Sequence, residues 1–417
     1  MLITSTQSTS GLLTTAEVAR RLGVKPQTVY AYVSRGLLHP DASSTHRHSL
    51  FAADEVERAA VRSRHPSRSG ALEVVIETQL TALDPKGRLY YRGRDVVELS
   101  RFRSFEDVAG LLWDGDPFAP WELGAEDQEM ISGVAALMPA AATGVDLVPV
   151  AVAALGAADR QRADRRPEAV RRAAARMLAG ALDLIAAGRD LHASPAGAAG
   201  AALDASAASR LWYTLRADGK RPRPAQHAAL NAALVLLADH ELAASTLAAR
   251  VAASAWADPY RVVLAGLGPL GGTLHGGASL AVEALLAEAG SSPGDAFAAL
   301  DQRIAAGPVP GFGHRVYRGP DPRAQQLLER LQSVSDDEQA LLTVEATLEA
   351  AASLRLPPPN VDFGLTALGR VMGLRVGSAS MVFTIARIVG LIAHGLEEYP
   401  HRLRFRPRAT YAGPAPR

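Results

Sequence analysis

Between Pro308 and Ala324 the chain reads PVPGFGHRVYRGPDPRA. Glycine and proline at this density shape a loop rather than a helix or strand. The segment therefore presents its side chains, among them His314, Arg315, Arg318 and Arg323. A guanidinium fork matches a carboxylate or phosphate through two parallel hydrogen bonds. A histidine with several arginines on one shaped loop suits an acidic ligand; a surface loop with solvated charges is the plain alternative. Other ionisable residues stand in apolar company. Arg387 lies within FTIARIVGL, where a guanidinium is costly unless an anion meets it; that anion is an internal carboxylate or a ligand. His240, in ALVLLADHELAAS, reads first as a hydrogen-bonded core histidine. Asp362 follows the proline run of PPPNVDFGL just before a helical pattern, where an N-cap is the common use of aspartate. His275, in GGTLHGGAS, precedes an amphipathic helix whose positive end disfavours imidazolium. A neutral histidine there can donate a hydrogen bond to a developing oxyanion; a turn histidine capping the helix is the alternative.

These residues need a scaffold, and the hydrophobic pattern supplies a mostly helical one. ALNAALVLLADHELAASTLAARVAAS, from Ala229 to Ser254, reads as one long helix that is apolar nearly all round, and SMVFTIARIVGLIAHGLEE, from Ser380 to Glu398, reads as another. Such helices are buried in a large helical domain. The basic run RQRADRRPEAVRRAAAR reads as a solvated helix face. Gly266, Gly268 and Gly271 spell G-x-G-x-x-G, but Pro269 inside the turn and the lack of a following strand argue against a dinucleotide site.

Residues 13–60 have a different character. Thr14 and Glu17 form a capping-box signature, Gly23 closes a short helix, and a second helix starts with Pro26 and packs through Val29, Tyr30 and Val33. A wing and a third helix follow, with the His46 and His48 pair in the wing rather than at a metal. This helix-turn-helix spacing resembles the winged modules of MerR-like regulators and excisionases. Through Arg68 it carries nine basic against five acidic residues, a modest footprint for DNA; a docking module that touches no DNA is the alternative. RSRHPSRSG then has linker composition.

The whole chain is 417 residues with 44 basic and 43 acidic side chains, 48% hydrophobic and 21% charged residues, and no cysteine. The balanced charge argues against a nucleic-acid or membrane-surface protein overall, and the missing cysteine excludes disulfides and thiolate chemistry. The start, MLITSTQSTSGLL, lacks the pattern of a secretory signal. A soluble cytoplasmic protein that enters no membrane is the expectation.

From about Ile76 to Gly413 the chain resembles the citrate synthase family. The resemblance rests on an ordered set of segments: VIETQLTALDPKGRLYYRGRDVVELS, FEDVAGLLWDGDP, LLADHELAASTLAARV, GTLHGGASLAVE, GFGHRVYRGPDPRA, NVDFGL, ARIVGLIAH and RPRATYAG. It implies an all-α fold of large and small helical domains behind the winged helix-turn-helix module. The implied boundaries are 1–68 for the module and linker, 69–275 and 367–417 for the large domain, and 276–366 for the small one. The implied reaction condenses an acyl-CoA, acetyl-CoA first, with oxaloacetate to give citrate and CoA; propionyl-CoA, giving 2-methylcitrate, is the alternative. By the same resemblance His240, His314, Arg323 and Arg387 bind oxaloacetate, Asp362 removes the acyl α-proton, His275 holds the enolate, and His314 polarises and protonates the ketone. Arg406 reaches the neighbouring subunit's site, which makes the active unit a homodimer. No metal or redox cofactor is implied. The rival of another class is a metabolite-sensing transcriptional regulator that meets DNA through residues 14–68. The chain departs from the family at Ala243, Ser279 and Gly364-Leu365, and the last pair, beside the expected base, leaves the acyl group open.

Overall fold

A computed structural model describes residues 12–22, 24–34, 38–41, 49–53, 55–56, 75–84, 87–115, 121–139, 141–190, 206–216, 218–272, 277–317 and 319–406. Two compact units part between Glu77 and Thr78. In the first, strand Leu12–Thr14 pairs antiparallel with Leu50–Ala52, and helices Thr15–Leu22 and Pro26–Ser34 pack on a core of Val18, Leu22, Val29, Leu38, Phe51 and Val56. The expected capping box is present: Thr14 N–H donates to Glu17 Oε2 at 2.8 Å, and Glu17 N–H donates to Thr14 Oγ1 at 3.4 Å. One packing assignment is corrected. Tyr30 is 59% exposed, and Tyr32 packs on the core with Val33 instead. The reason is helical phase, since Val29 and Val33 share a face that the next residue, turned by about 100°, leaves.

Among its described residues the second unit is helical apart from a small antiparallel sheet in which Leu89–Tyr91 pairs with both Thr81–Leu83 and Arg94–Asp95. At its centre is helix Ser378–Glu398. It passes the length and hydropathy test for a membrane span, but its apolar faces are buried inside the fold. Helices Gly144–Ala158, Pro167–Asp190, Pro224–Leu237, Ala244–Ser254 and Pro259–Leu270 pack around it. A separate satellite core joins Leu285, Ala296, Leu300, Ala346 and Ala350 from helices Ala278–Glu288, Pro293–Ala306 and Glu338–Ser353.

Two further sequence expectations change. The long helix from Ala229 to Ser254 is two helices, broken after Leu237 and resumed at Ala244. Asp239, His240 and Glu241 occupy the break, where Glu241 takes a left-handed φ of 52°. Polar residues here are no misfits in a helix; they form a turn. The basic run is only partly solvated, because Arg176 pairs with Asp127 at 2.5 Å and donates to Tyr260 Oη at 2.8 Å. The G-x-G-x-x-G glycines lie within helix Pro259–Leu270 and at its C-cap, and Gly266 packs under Leu391, which would lie 2.5 Å from an added Cβ. Gly266 serves helix packing, and the pattern is helical rather than a phosphate-binding turn.

Candidate active site

The loop that begins at Pro308 is fastened to the proline run before Asp362. Gly313 N–H donates to Pro358 O at 2.8 Å, Asn360 N–H to Gly311 O at 2.8 Å, and Asn360 Nδ2 to Gly313 O at 2.9 Å. Gly311 and Gly313 sit at φ 83° and 77°, a region that favours glycine. At Gly311 an added Cβ would also meet Phe363 Cβ at 3.0 Å. The loop and the start of helix Val361–Val371 thus behave as one piece.

His314 and Arg323 turn inward from this piece, while Arg315 faces solvent and Arg318 lies outside the described residues. His314 Nδ1 accepts from Val316 N–H at 3.0 Å and Tyr317 N–H at 3.3 Å. A ring nitrogen that accepts carries no hydrogen, so the neutral ring is protonated at Nε2. Burial, helped by Arg323, pushes this imidazole down to about 4, so the neutral form prevails at ordinary pH. Arg323 Nη2 stands 3.5 Å from His314 Nε2. Both atoms are donors, so they do not satisfy each other; they converge on space for an acceptor. His240 closes the cluster, with Nε2 3.0 Å from Tyr317 Oη and its ring edge-on to His314 at 5.3 Å between centroids. Burial first, then the nearby Arg323 and Arg387 charges, hold His240 well below the ordinary histidine range.

The two buried arginines of this cluster differ. Arg323 is gripped by Asp321, which also accepts from Val361 N–H at 3.1 Å. Burial opposes its charge, but Asp321, with Tyr317 and Tyr91 nearby, holds the guanidinium above its ordinary range. Arg387, 1% exposed, stacks 4.9 Å over Phe383, and its Nε and Nη1 have no hydrogen-bond partner among the described residues. The choice left open by the sequence narrows here: among the described residues no internal carboxylate pairs with Arg387. A buried guanidinium with unused donors is a binding site for an anion.

Asp362 is not the N-cap. Asn360 caps helix Val361–Val371, accepting from Asp362 N–H at 3.0 Å and Phe363 N–H at 3.3 Å. This releases the Asp362 carboxylate, which accepts no hydrogen bond among the described residues. Burial pushes it up to about 6, against the pull of Arg323 and Arg387. A carboxylate with this pKa can take a proton from carbon and return it near neutral pH.

The fold therefore brings His240, His314, Arg323, Arg387 and Asp362 into one electrostatic neighbourhood. His275 lies outside the described residues. Arg406 is exposed and makes no hydrogen bond or ion pair among the described residues of its own chain. Sequence reading missed Tyr317, Asp321 and Asn360, each inside a quoted motif but overshadowed by a stronger base or acid beside it. The Asp-Pro-Arg spacing of Asp321 and Arg323 was the available signal: an N-cap aspartate whose side chain can also reach the residue two positions on.

Comparison with known proteins gives two family matches: "Citrate synthase, C-terminal domain" over residues 71–408 and "Helix-turn-helix domain" over residues 12–60. The chain is 32% identical over 342 residues to citrate synthase 2 of Bacillus subtilis, covering 78% of this chain and 90% of that protein. It is also 32% identical over 384 residues to the 2-methylcitrate synthase of Mycobacterium tuberculosis, covering 88% and 95%. Among solved structures, citrate synthase from Thermotoga maritima matches with a TM-score of 0.66 and 28% identity over 82% of this chain and 94% of that one. The Thermoplasma acidophilum enzyme, described as a ternary complex with carboxymethyl coenzyme A and oxaloacetate, matches with a TM-score of 0.66 and 26% identity over 85% and 97%.

Proposed function

We infer the function from one premise: the chain belongs to the citrate synthase family. It is a citrate synthase-type enzyme that condenses an acyl-CoA with oxaloacetate. The observation that carries the reading is Arg387, a fully buried cation with unused donors beside two neutral histidines and a paired Arg323. This constellation suits a small dianion bearing a ketone.

In our reading Arg387, Arg323 and His240 hold the oxaloacetate carboxylates and orient its carbonyl toward His314 Nε2–H. Asp362 takes the α-proton of the thioester, and its pKa of about 6 leaves it ionised at neutral pH. The enolate carbon attacks the ketone carbon while His314 donates toward the forming alkoxide and supplies its proton. By family resemblance His275 holds the enolate oxygen. Water then cleaves the thioester, releasing CoA and the tricarboxylate.

Acetyl-CoA is the proposed donor. The equal identity to a 2-methylcitrate synthase supports propionyl-CoA as the second reading. We assign the working unit as a cytoplasmic homodimer in which Arg406 serves the partner's site, and the first seventy or so residues as a regulatory module able to meet DNA. Thiol release from a panel of acyl-CoAs, with and without oxaloacetate, tests the assignment. Release that needs oxaloacetate supports it, the fastest acyl-CoA names the donor, and release indifferent to oxaloacetate refutes it.

A further inference from the structure

Behind the substrate cluster a chain of ionisable side chains runs through the core. Asp239 Oδ2 accepts from the Thr81 hydroxyl and from His394 Nε2 at 3.2 Å. His394 Nδ1 lies 2.6 Å from Arg250 Nη1. Arg250 continues to Glu397 at 2.7 Å and Glu398 at 2.9 Å, and Glu398 takes both prongs of Arg404 at 2.7 and 3.0 Å. Asp239, Arg250, His394 and Glu398 are fully buried. Burying such groups is no better for stability than apolar filling, so the placement calls for a geometric role.

That role is visible at the Asp239 end. Arginine can only donate, so His394 Nδ1 accepts and the hydrogen sits on Nε2, aimed at Asp239. Asp239 is the neighbour of His240, and the turn they share is docked on the helix that carries Arg387. Gly390 N–H donates to Ala238 O at 3.0 Å, and Tyr91 Oη bridges Asp239 O at 2.8 Å and Asp239 N–H at 3.0 Å. His394 follows Arg387 by seven residues, two helical turns, and so lies on the same side of that helix. One helix thus presents the anion-binding cation and the pin for the turn that bears His240.

We propose that His394 is a positioning residue for oxaloacetate: its Nε2–H locks Asp239, and with it the His240 turn, in register with Arg387. The inference rests on the condensing reading above. The test uses the full-length enzyme and compares His394→Leu, which fills the space without hydrogen bonds, with His394→Gln, which keeps one donor and one acceptor. His394→Leu is expected to raise the KM for oxaloacetate about 10-fold, the worth of one buried hydrogen bond, with the acyl-CoA KM moved less than about 2-fold. His394→Gln is expected to recover most of that loss. An unchanged oxaloacetate KM in folded His394→Leu overturns the proposal, and so does an equal rise for both substrates that His394→Gln fails to rescue. Should His394→Leu not fold, Thr81→Val, which strips the other hydrogen from the same oxygen, carries the test. It too must raise the oxaloacetate KM selectively, and an unmoved KM overturns the proposal. Wild-type enzyme without oxaloacetate-dependent thiol release would instead sink the underlying functional reading.

Discussion

Asp321 grips Arg323 through two parallel hydrogen bonds, Nε to Oδ1 at 3.0 Å and Nη2 to Oδ2 at 2.8 Å, and the pair is almost completely buried. Arg387, equally buried, lacks any such partner among the described residues. The difference predicts opposite penalties. Arg323→Met leaves the Asp321 carboxylate buried and unpaired, which costs about 3–5 kcal/mol of stability. Arg387→Met strands no hydrogen-bonded partner, so it should lower the melting temperature much less while raising the oxaloacetate KM at least about 100-fold. Thermal melts of the two variants beside their oxaloacetate titrations check this; a larger melting-temperature loss for Arg387→Met would show that its charge is paired inside the protein.

The Asp362 carboxyl, pushed by burial up to about 6 from an ordinary 3.8, predicts the acid limb of the rate profile. Turnover should fall as pH drops through about 6, with one proton involved, and Asp362→Asn should lose about 10²–10⁴-fold in kcat. His314, held near 4, adds no limb above pH 5. Stability moves the other way. Because the folded state holds this proton more tightly than the unfolded chain, the fold loses stability as pH rises from about 4 to 6, and the penalty is complete above that. Asp362→Asn should therefore melt above wild type at pH 8, with the gap closing toward pH 4. A constant gap across this range would mean that Asp362 titrates normally.

At Gly390 an added Cβ would lie 2.5 Å from both Ala238 O and Asp239 Oδ1. The backbone oxygen cannot swing aside, so Gly390→Ala must displace the turn that carries His240. We expect a raised oxaloacetate KM with kcat changed less, measured in initial rates at saturating acyl-CoA. Unaltered kinetics in the folded variant would show that the turn tolerates displacement.

The helical scaffold was legible because its apolar runs need burial whatever their partners, and His314, Arg323 and Arg387 stood out because their types jar with their neighbours. What sequence could not show was contact between distant positions. Asp239 and His394 meet across 155 residues of chain, and nothing local to either announces the other. The break between Leu237 and Ala244 was hidden for a related reason: its residues are helix-compatible, and the turn is imposed by docking on helix Ser378–Glu398. Local pattern alone left Asp362 between N-cap and base; Asn360, two residues earlier, caps the helix instead and leaves the Asp362 carboxylate free.

Removal of residues 1–68 should leave a folded enzyme with near-normal turnover, since every residue assigned to the site lies beyond them and the compact units part at Glu77. Rates and melting curves of the truncated protein check this. Loss of activity with the fold retained would make the module part of the site. Separately, the full chain should bind duplex DNA more tightly as salt falls, because released counterions favour phosphate contacts at low ionic strength. Absence of binding even at low salt would remove the DNA-binding role.

The segment RLRFRPRATYAG places Arg406 before a proline near the C-terminus, and Arg406 is exposed in its own chain. Arg404, two residues earlier, is pinned to Glu398 by bonds of 2.7 and 3.0 Å, so the point from which Arg406 projects is fixed. If it completes the partner's site, Arg406→Ala weakens oxaloacetate binding and leaves the dimer intact. Mixing subunits gives the sharper measurement. Arg406→Ala and His314→Ala proteins, each nearly inactive alone, should form heterodimers with one intact and one doubly damaged site. Random pairing then restores roughly a quarter of wild-type activity per total subunit. No recovery despite demonstrated exchange would place Arg406 within its own chain's site or outside the chemistry altogether.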